Sequence, residues 1–202
     1  GRKFYPPQKA HLIVHEPLAD RMDLDKVLVI PDKRPVHKIC EDLALDSDRA
    51  ELCRRTFTGK NYEVSTMEID RDTDSYMIFT VNEILSKYKD AQLFLIIGSD
   101  MFLSFHKWYK YREIMKKCTL CVMSREDEDT VKALRSYAFS TLRIYMPSNE
   151  ANGIIISPSS PLEISSTEIR QKISAGEDVS DVLTKEAYEF IKERGMYGYA
   201  KK

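Results

Sequence analysis

Short apolar runs separated by helical patterns constrain this chain more than any other feature. Lys26-Val-Leu-Val-Ile30, Gln92-Leu-Phe-Leu-Ile-Ile97, Cys118-Thr-Leu-Cys-Val-Met123 and Gly153-Ile-Ile-Ile156 are short and almost continuously apolar. Runs of that kind suit strands buried on both faces, as in a parallel sheet. Tyr62 to Ile69 alternates apolar and polar residues, the pattern of a half-exposed strand, and Leu142 to Met146 reads as a further strand. The run 92–97 is the most apolar and is expected at the centre of the sheet.

The intervening segments carry helical periodicity. A first helix from about His11 is bent or shortened by Pro17. Ser47 is expected to cap a helix bearing Ala50, Leu52, Cys53 and Phe57. Ser75 is expected to cap one bearing Ile78, Val81, Ile84 and Leu85. Another runs through Ile114, a weaker one covers Val131 to Phe139, and the last spans Lys185 to Glu193 with Gly195 as its C-cap. Strands alternating with helices predict one α/β domain over 1–202, a Rossmann-like doubly wound parallel sheet flanked by helices. Ligands of such sheets sit beyond the C-terminal ends of the strands. That rule gathers the polar loops 1–11, 31–38, 98–109 and 157–170 on one rim.

Charge and cysteine content narrow the functional classes. Net charge is −1, so no global field recruits nucleic acid or an anionic membrane, and any bound anion needs local basic groups. No apolar run is long enough to span a bilayer and no secretory signal is present, which points to the cytoplasm. Free thiols are then the simplest state for Cys40, Cys53, Cys118 and Cys121. Cys118 and Cys121 form a C-x-x-C inside an apolar strand. Their sulfurs fall on opposite faces, which suits a core strand better than a redox or zinc site. His11 and His15 stand one helical turn apart beside Glu16, but the pattern lacks the preceding residues of H-E-x-x-H, so a packed or solvated His15 is the simpler reading. No carboxylate cluster has metal-ligand spacing, and no Ser/His/Asp or Cys/His nucleophile set is evident.

What remains is equipment for polyphosphate. Ser165, Ser166 or Thr167 can cap the helix that follows the Pro/Ser loop 157–161, with Glu168 in its first turn. Hydroxyls beside the unpaired N–H groups of a helix start form an anion site, and Arg170 can fork onto a phosphate. Taken alone, this is also the signature of an ordinary capped helix. His11, Lys38 and the backbone around Gly98 join it on the same rim.

Gly98-Ser99-Asp100 after an apolar strand, Trp108 beyond it, and Ile164-Ser-Ser-Thr-Glu-Ile-Arg170 together resemble the bacterial nicotinate-nucleotide adenylyltransferases. Pro31 to Lys38 is similar to that family's P-H-K loop. Val64 to Tyr76 is similar to its strand and S-Y-T segment, and Lys192 to Tyr197 to its C-terminal motif. The resemblance implies transfer of AMP from ATP to nicotinate mononucleotide, giving deamido-NAD and pyrophosphate. It implies magnesium held mainly by the ATP phosphates. His11 matches the second His of the family's T/H-x-G-H motif and would act at the α-phosphate, with Arg170 as its catalytic companion. Phe4, His11, Ser166, Thr167, Arg170, Gly98 and Asp100 would bind ATP. Lys38, Trp108, Tyr109 and Met77 would bind the mononucleotide, Trp108 stacking on the pyridine ring. ATP and nicotinate mononucleotide are the implied partners, with neither nucleic acid nor membrane. The sequence does not decide between a monomer and a homodimer.

Departures from the family pattern concentrate in the first loop. The family reads G-G-T-F-D-P-P/V-H-x-G-H, whereas this chain has Arg2, Tyr5, Gln8 and Ala10 where the family has Gly, Asp, His and Gly. Gln8 can donate hydrogen bonds to phosphate but offers no imidazolium charge. Met77 and Phe79 stand where the family tends to have Thr and Asp. The family's first, central strand has no counterpart here, and about ten further upstream residues, one strand and its lead-in, are expected. Two alternatives stay open beside the adenylyltransferase: a sister enzyme using nicotinamide mononucleotide or phosphopantetheine, and a mononucleotide-binding protein without catalysis. Trp108 favours a pyridine acceptor over phosphopantetheine.

Overall fold

The computed structural model describes residues 4–12, 21–33, 44–124, 128–158 and 165–199. Two compact units emerge: Gly1–Asp74 with Leu162–Lys202, and Ser75–Pro161. Among the described residues no helix is long and apolar enough to cross a membrane.

In the first unit, strands β1 (Val27–Val29) and β2 (Tyr62–Val64) pair in parallel, Val27 opposite Tyr62 and Val29 opposite Val64. Helix α1 (Asp46–Thr56) has Asp46 and Asp48 in its first turn and Arg54 and Arg55 in its last, each complementing the helix dipole. It starts one residue before Ser47, and its N-cap is Leu45 without a side-chain bond. The expected Ser47 cap is therefore corrected: acids in the first turn do the electrostatic part of a cap's work. The expected strand over 62–69 is also shorter, because residues 67–69 turn away after Ser65 donates its N–H to the Val29 carbonyl. The mixed pattern there satisfied period 2 without a second strand to pair with.

Two small cores hold this unit. Phe4, Val29, Cys53 and Phe57 form one. Leu52 packs with Ile169, Ile173, Val179, Leu183, Ala187 and Ile191 in the other. The last two helices of the unit lie between Ser166 and Arg194. Thr184 caps one end of the Lys185–Arg194 helix, and Gly195 in the left-handed region (φ 61°) closes the other, as expected.

The second unit is built on four strands in the order β3-β4-β6-β5: Leu93–Gly98, Cys118–Ser124, Ile154–Pro158 and Glu150–Ala151. The first three are parallel, and β5 returns antiparallel to β6. The turn between β5 and β6 is Asn152-Gly153, both at positive φ (51° and 79°), the pair that favours two-residue hairpins. Strand β4, not β3, is central. It is buried almost throughout, with Leu120 and Val122 in the main core and Cys121 and Met123 covered on the other face. Strand β3 is half-exposed and has no partner on its other edge among the described residues. Apolarity alone ranked it first. Pairing decides position, and it is β4 and β6, not β3, that have a strand on each side among the described residues.

Helix α2 (Met77–Lys87), α3 (Ser99–Leu103), α4 (Tyr111–Lys117) and α5 (Glu128–Tyr137) bury Ile78, Val81, Phe102, Ile114 and Leu134 in this core. The N-cap of α2 is Tyr76 with no side-chain bond, which corrects the expected Ser75 cap. Leu142 to Met146 is not a strand. A π-turn over Ala138–Leu142 ends at Arg143 (φ 63°), and Ile144 donates its N–H back to the Ala138 carbonyl. Leu142, Ile144 and Met146 still reach the core, so their alternation reflects burial without pairing.

Both sulfurs of the C-x-x-C are buried free thiols, and burial pushes Cys118 up to about 11. A thiol so far from ionisation is a poor nucleophile at neutral pH.

The most buried charge in the first unit is Arg49 of α1, 1% exposed. It pairs with Asp46 at 2.7 Å and with the Asp32 carboxylate at 3.2 Å, and also donates to the Asp32 carbonyl. These bonds tie α1 to the loop that leaves the C-terminal end of β1. Replacing Arg49 by Met removes the buried cation from both carboxylates and should lower unfolding free energy by about 3 kcal/mol in urea titration. A change under about 0.5 kcal/mol would show that the pair is not structural.

Candidate active site

The site residues of the first unit converge on helix α6 (Ser166–Ser174). Ser165 is its N-cap: its hydroxyl accepts the Glu168 N–H at 3.1 Å. Of the three candidate hydroxyls the cap uses only this one. Ser166 and Thr167 thus begin the helix with their N–H groups outside its internal ladder, at the positive end of the dipole. Ile169 and Ile173 anchor the opposite face in the core, which fixes the direction of the first turn.

Arg170 lies one turn on. One Nη donates to the Tyr5 carbonyl at 3.0 Å, and the other to Thr167 Oγ1 at 3.2 Å. Its guanidinium also lies 4.2 Å from the centre of the Tyr5 ring. Two of five N–H donors are engaged in these bonds, and the cation is stacked on an aromatic face. Arg170 and Thr167 border an open cavity of about 560 Å³, together with Asp48, Ser174, Tyr197 and Gly198. That volume is in the usual range for small-molecule sites. Burial pushes the Tyr197 hydroxyl far up, and Tyr197 packs edge-on against Tyr5 at 5.2 Å.

The N-terminal loop supplies the rest. Phe4, Tyr5 and Gln8 are all buried, at 7, 8 and 5% exposure. A helical turn over 9–12 begins directly after them and carries His11. The backbone N–H of Gln8 donates to His11 Nδ1 at 2.9 Å, and the Phe4 ring stands edge-on to the imidazole at 5.4 Å. An Nδ1 that accepts a hydrogen bond cannot carry the proton of a neutral imidazole, so that proton resides on Nε2. The Gln8 side chain reaches the helix start itself, Nε2 donating to Ser166 Oγ at 3.4 Å. His11, Ser166, Thr167, Arg170 and Phe4 are thereby assembled in one unit. Lys38 lies outside the described residues.

The second unit carries the other candidates. Gly98 ends β3 and is the N-cap of α3, with φ −77° and ψ 161°, a conformation open to any residue. Asp100 is exposed in the first turn of α3. Trp108 follows the 3-10 turn Phe105–Lys107, is half-buried, and packs its ring 5.0 Å from Phe105 against the core. Tyr109 is 47% exposed and stacks on Tyr76 at 4.8 Å, with Phe79 edge-on to both. Met77 opens α2, half-buried against the same core. The exposed aromatic trio of Tyr76, Phe79 and Tyr109 was not legible in the sequence, since Phe79 read only as a lost Asp.

Tyr5 and Gln8, which looked like losses, are the residues that reach α6. Each contact spans most of the chain, and no local pattern reports it. Among the described residues, no group of three or more His, Cys, Asp or Glu side chains is placed to hold a metal ion.

A family model described as Cytidylyltransferase-like matches residues 3–172. A relative in Listeria monocytogenes serotype 4a, named probable nicotinate-nucleotide adenylyltransferase, is 30% identical over 199 residues, covering 98% of this chain and 95% of its own length. A protein of the same name in Clostridium tetani is 28% identical, with 98% and 96% covered. The chain belongs to the cytidylyltransferase-like family and, within it, to the nicotinate-nucleotide adenylyltransferases. A solved Plasmodium falciparum nicotinic acid mononucleotide adenylyltransferase, complexed with NaAD, has the same fold at TM-score 0.69 and 15% identity, covering 99% of this chain and 96% of that one.

If the Tyr5 ring holds Arg170 by its π-face, Tyr5→Phe should leave ATP affinity unchanged. Tyr5→Leu should weaken it about two- to fivefold in calorimetry. Equal affinities for the two variants would contradict that role.

Proposed function

We propose that the protein transfers AMP from ATP to nicotinate mononucleotide, releasing pyrophosphate and forming deamido-NAD. The observation that carries this reading is the start of α6, where Ser166, Thr167 and Arg170 lie within one turn and Gln8 links Ser166 to the turn that carries His11, in a chain of this family. A phosphate oxygen of the mononucleotide attacks the α-phosphorus in line. A new P–O bond forms as the α–β bridging P–O bond breaks, and the electron pair leaves on pyrophosphate. The attacking phosphate is already ionised at neutral pH, so no general base is required. Rate enhancement then comes from positioning and from donors aimed at developing charge.

In this reading the N–H and hydroxyl groups of Ser166 and Thr167, with the remaining donors of Arg170, hold the β- and γ-phosphates. His11 donates from Nε2 to the α-phosphate. Gly98 and Asp100 border the nucleotide, and Trp108, Tyr109 and Met77 receive the pyridine ring. Lys38 is the expected phosphate ligand of the acceptor. The donor set is cationic and neutral, which suits a magnesium ion carried by the phosphates and water. When bound, the ion neutralises charge on the triphosphate. The expected setting is the cytoplasm, with ATP and the mononucleotide as partners.

One feature favours the acid over the amide. The first turn of α2 has no acidic residue and no side-chain cap, so no group within that turn offsets its positive end. A carboxylate on the pyridine gains from that field more than a carboxamide does. Met77 lacks the family's hydroxyl but keeps its backbone N–H.

Pyrophosphate release should therefore be faster with nicotinate mononucleotide than with nicotinamide mononucleotide. Faster turnover of the amide would select the sister enzyme, and ATP binding without turnover of either would select the non-catalytic reading. His11→Ala should lower kcat about 10²–10³-fold with the thermal midpoint retained, the range for losing a transition-state donor.

A further inference from the structure

Beyond the Ser165 cap, the hydroxyls of Ser166 and Thr167 each receive a hydrogen bond from a side-chain nitrogen. Arg170 Nη2 donates to Thr167 Oγ1 at 3.2 Å, and Gln8 Nε2 donates to Ser166 Oγ at 3.4 Å. A hydroxyl has one hydrogen and two lone pairs. When a neighbouring N–H occupies a lone pair, the hydroxyl's own hydrogen is directed elsewhere, and the O–H is polarised toward donation. For an anion beside the helix start, the sign of that orientation matters. A hydroxyl that donates attracts phosphate, and one that presents its lone pairs repels it.

We propose that Gln8 is a positioning residue for ATP: its buried side-chain amide donates to Ser166 Oγ and so turns the Ser166 hydroxyl into a phosphate donor. The inference rests on the adenylyl-transfer reading only in taking Ser166 to face the ATP phosphates. Gln8 suits the task because it is fixed on both sides. Its side chain is only 5% exposed, so water does not compete for the amide. Its own backbone is held by the His11 turn, the N–H donating to Nδ1 and the carbonyl accepting the His11 N–H at 3.0 Å. The same residue thus sets the His11 tautomer through its main chain and the Ser166 hydroxyl through its side chain. An amide also does this at any pH, since it never ionises. Residue 8 therefore introduces no titration into ATP binding.

The test measures Mg²⁺-ATP affinity by calorimetry, which needs no acceptor and no turnover. Gln8→Leu should weaken binding about five- to tenfold, the size of one ordinary hydrogen bond, since Gln8 acts through the neutral Ser166 hydroxyl. In the Ser166→Ala background the same substitution should have little further effect, because the hydroxyl it acts through is gone. Multiplicative losses in the double variant would overturn the proposal, since Gln8 would then act independently of Ser166. Gln8→Glu is the second arm. As a carboxylate it can only accept, so binding should be weak at neutral pH and should recover as the pH falls and the acid regains an O–H to donate. A Q8E protein with wild-type affinity at neutral pH, or with no recovery in acid, would overturn it. Retained thermal midpoints establish that the variants are folded. Failure of the wild-type protein to bind ATP would remove the ligand on which the proposal depends and overturn it. Binding without pyrophosphate release would defeat the reaction reading alone.

Discussion

A helix start cannot satisfy its own first N–H groups, and this protein leaves most of that deficit open at α6. Ser165 closes one donor, that of Glu168. Ser166, Thr167 and Arg170 follow within about one turn, while Ile169 and Ile173 lock the other face of the helix into the core. An array of donors held in this way costs nothing to organise when an anion arrives. It has value only if its members are kept from collapsing onto one another. The N-terminal loop does this from the other side, through the Tyr5 carbonyl and ring on Arg170 and the Gln8 amide on Ser166.

The loop itself is secured by its burial and by the fold of its own unit. Phe4 packs with Val29, Cys53 and Phe57, and Lys9 is joined to the 180–182 turn by its backbone N–H and its ammonium. Arg49, tied to Asp32 and Asp46, fixes the loop at the C-terminal end of β1 relative to α1. The chemistry of this half is therefore local: helix start, loop and cavity share one compact unit. In the other unit, the β3–α3 junction and the 3-10 turn before Trp108 follow from a strand that ends at Gly98 and a core that captures Phe102 and Phe105.

Much of this was legible in the sequence, and the failures have specific causes. The parallel strands, the α6 start and the Gly195 cap follow from apolar runs, cap chemistry and glycine's access to positive φ. Ser47 and Ser75 failed as caps because the helices start at Asp46 and Met77, one residue before the first serine and two after the second, and neither has a side-chain cap. Leu142 to Met146 failed because alternation reports burial, and burial here is reached without a neighbouring strand. Strand β5 was missed although Asn152-Gly153 announces a hairpin, since its two residues are too few to show a pattern. Tyr5 and Gln8 were misjudged for a different reason. Against a family motif they are departures, and their partners, Arg170 and Ser166, lie far along the chain.

The central claim is that the start of α6 is the ATP-phosphate site and that Arg170 is its principal cation. Calorimetric titration of Mg²⁺-ATP against the wild-type protein and its Arg170→Ala variant tests it most directly. The account predicts a loss of affinity of about 10- to 100-fold with the thermal midpoint largely retained. An unchanged dissociation constant in a folded Arg170→Ala protein would contradict it.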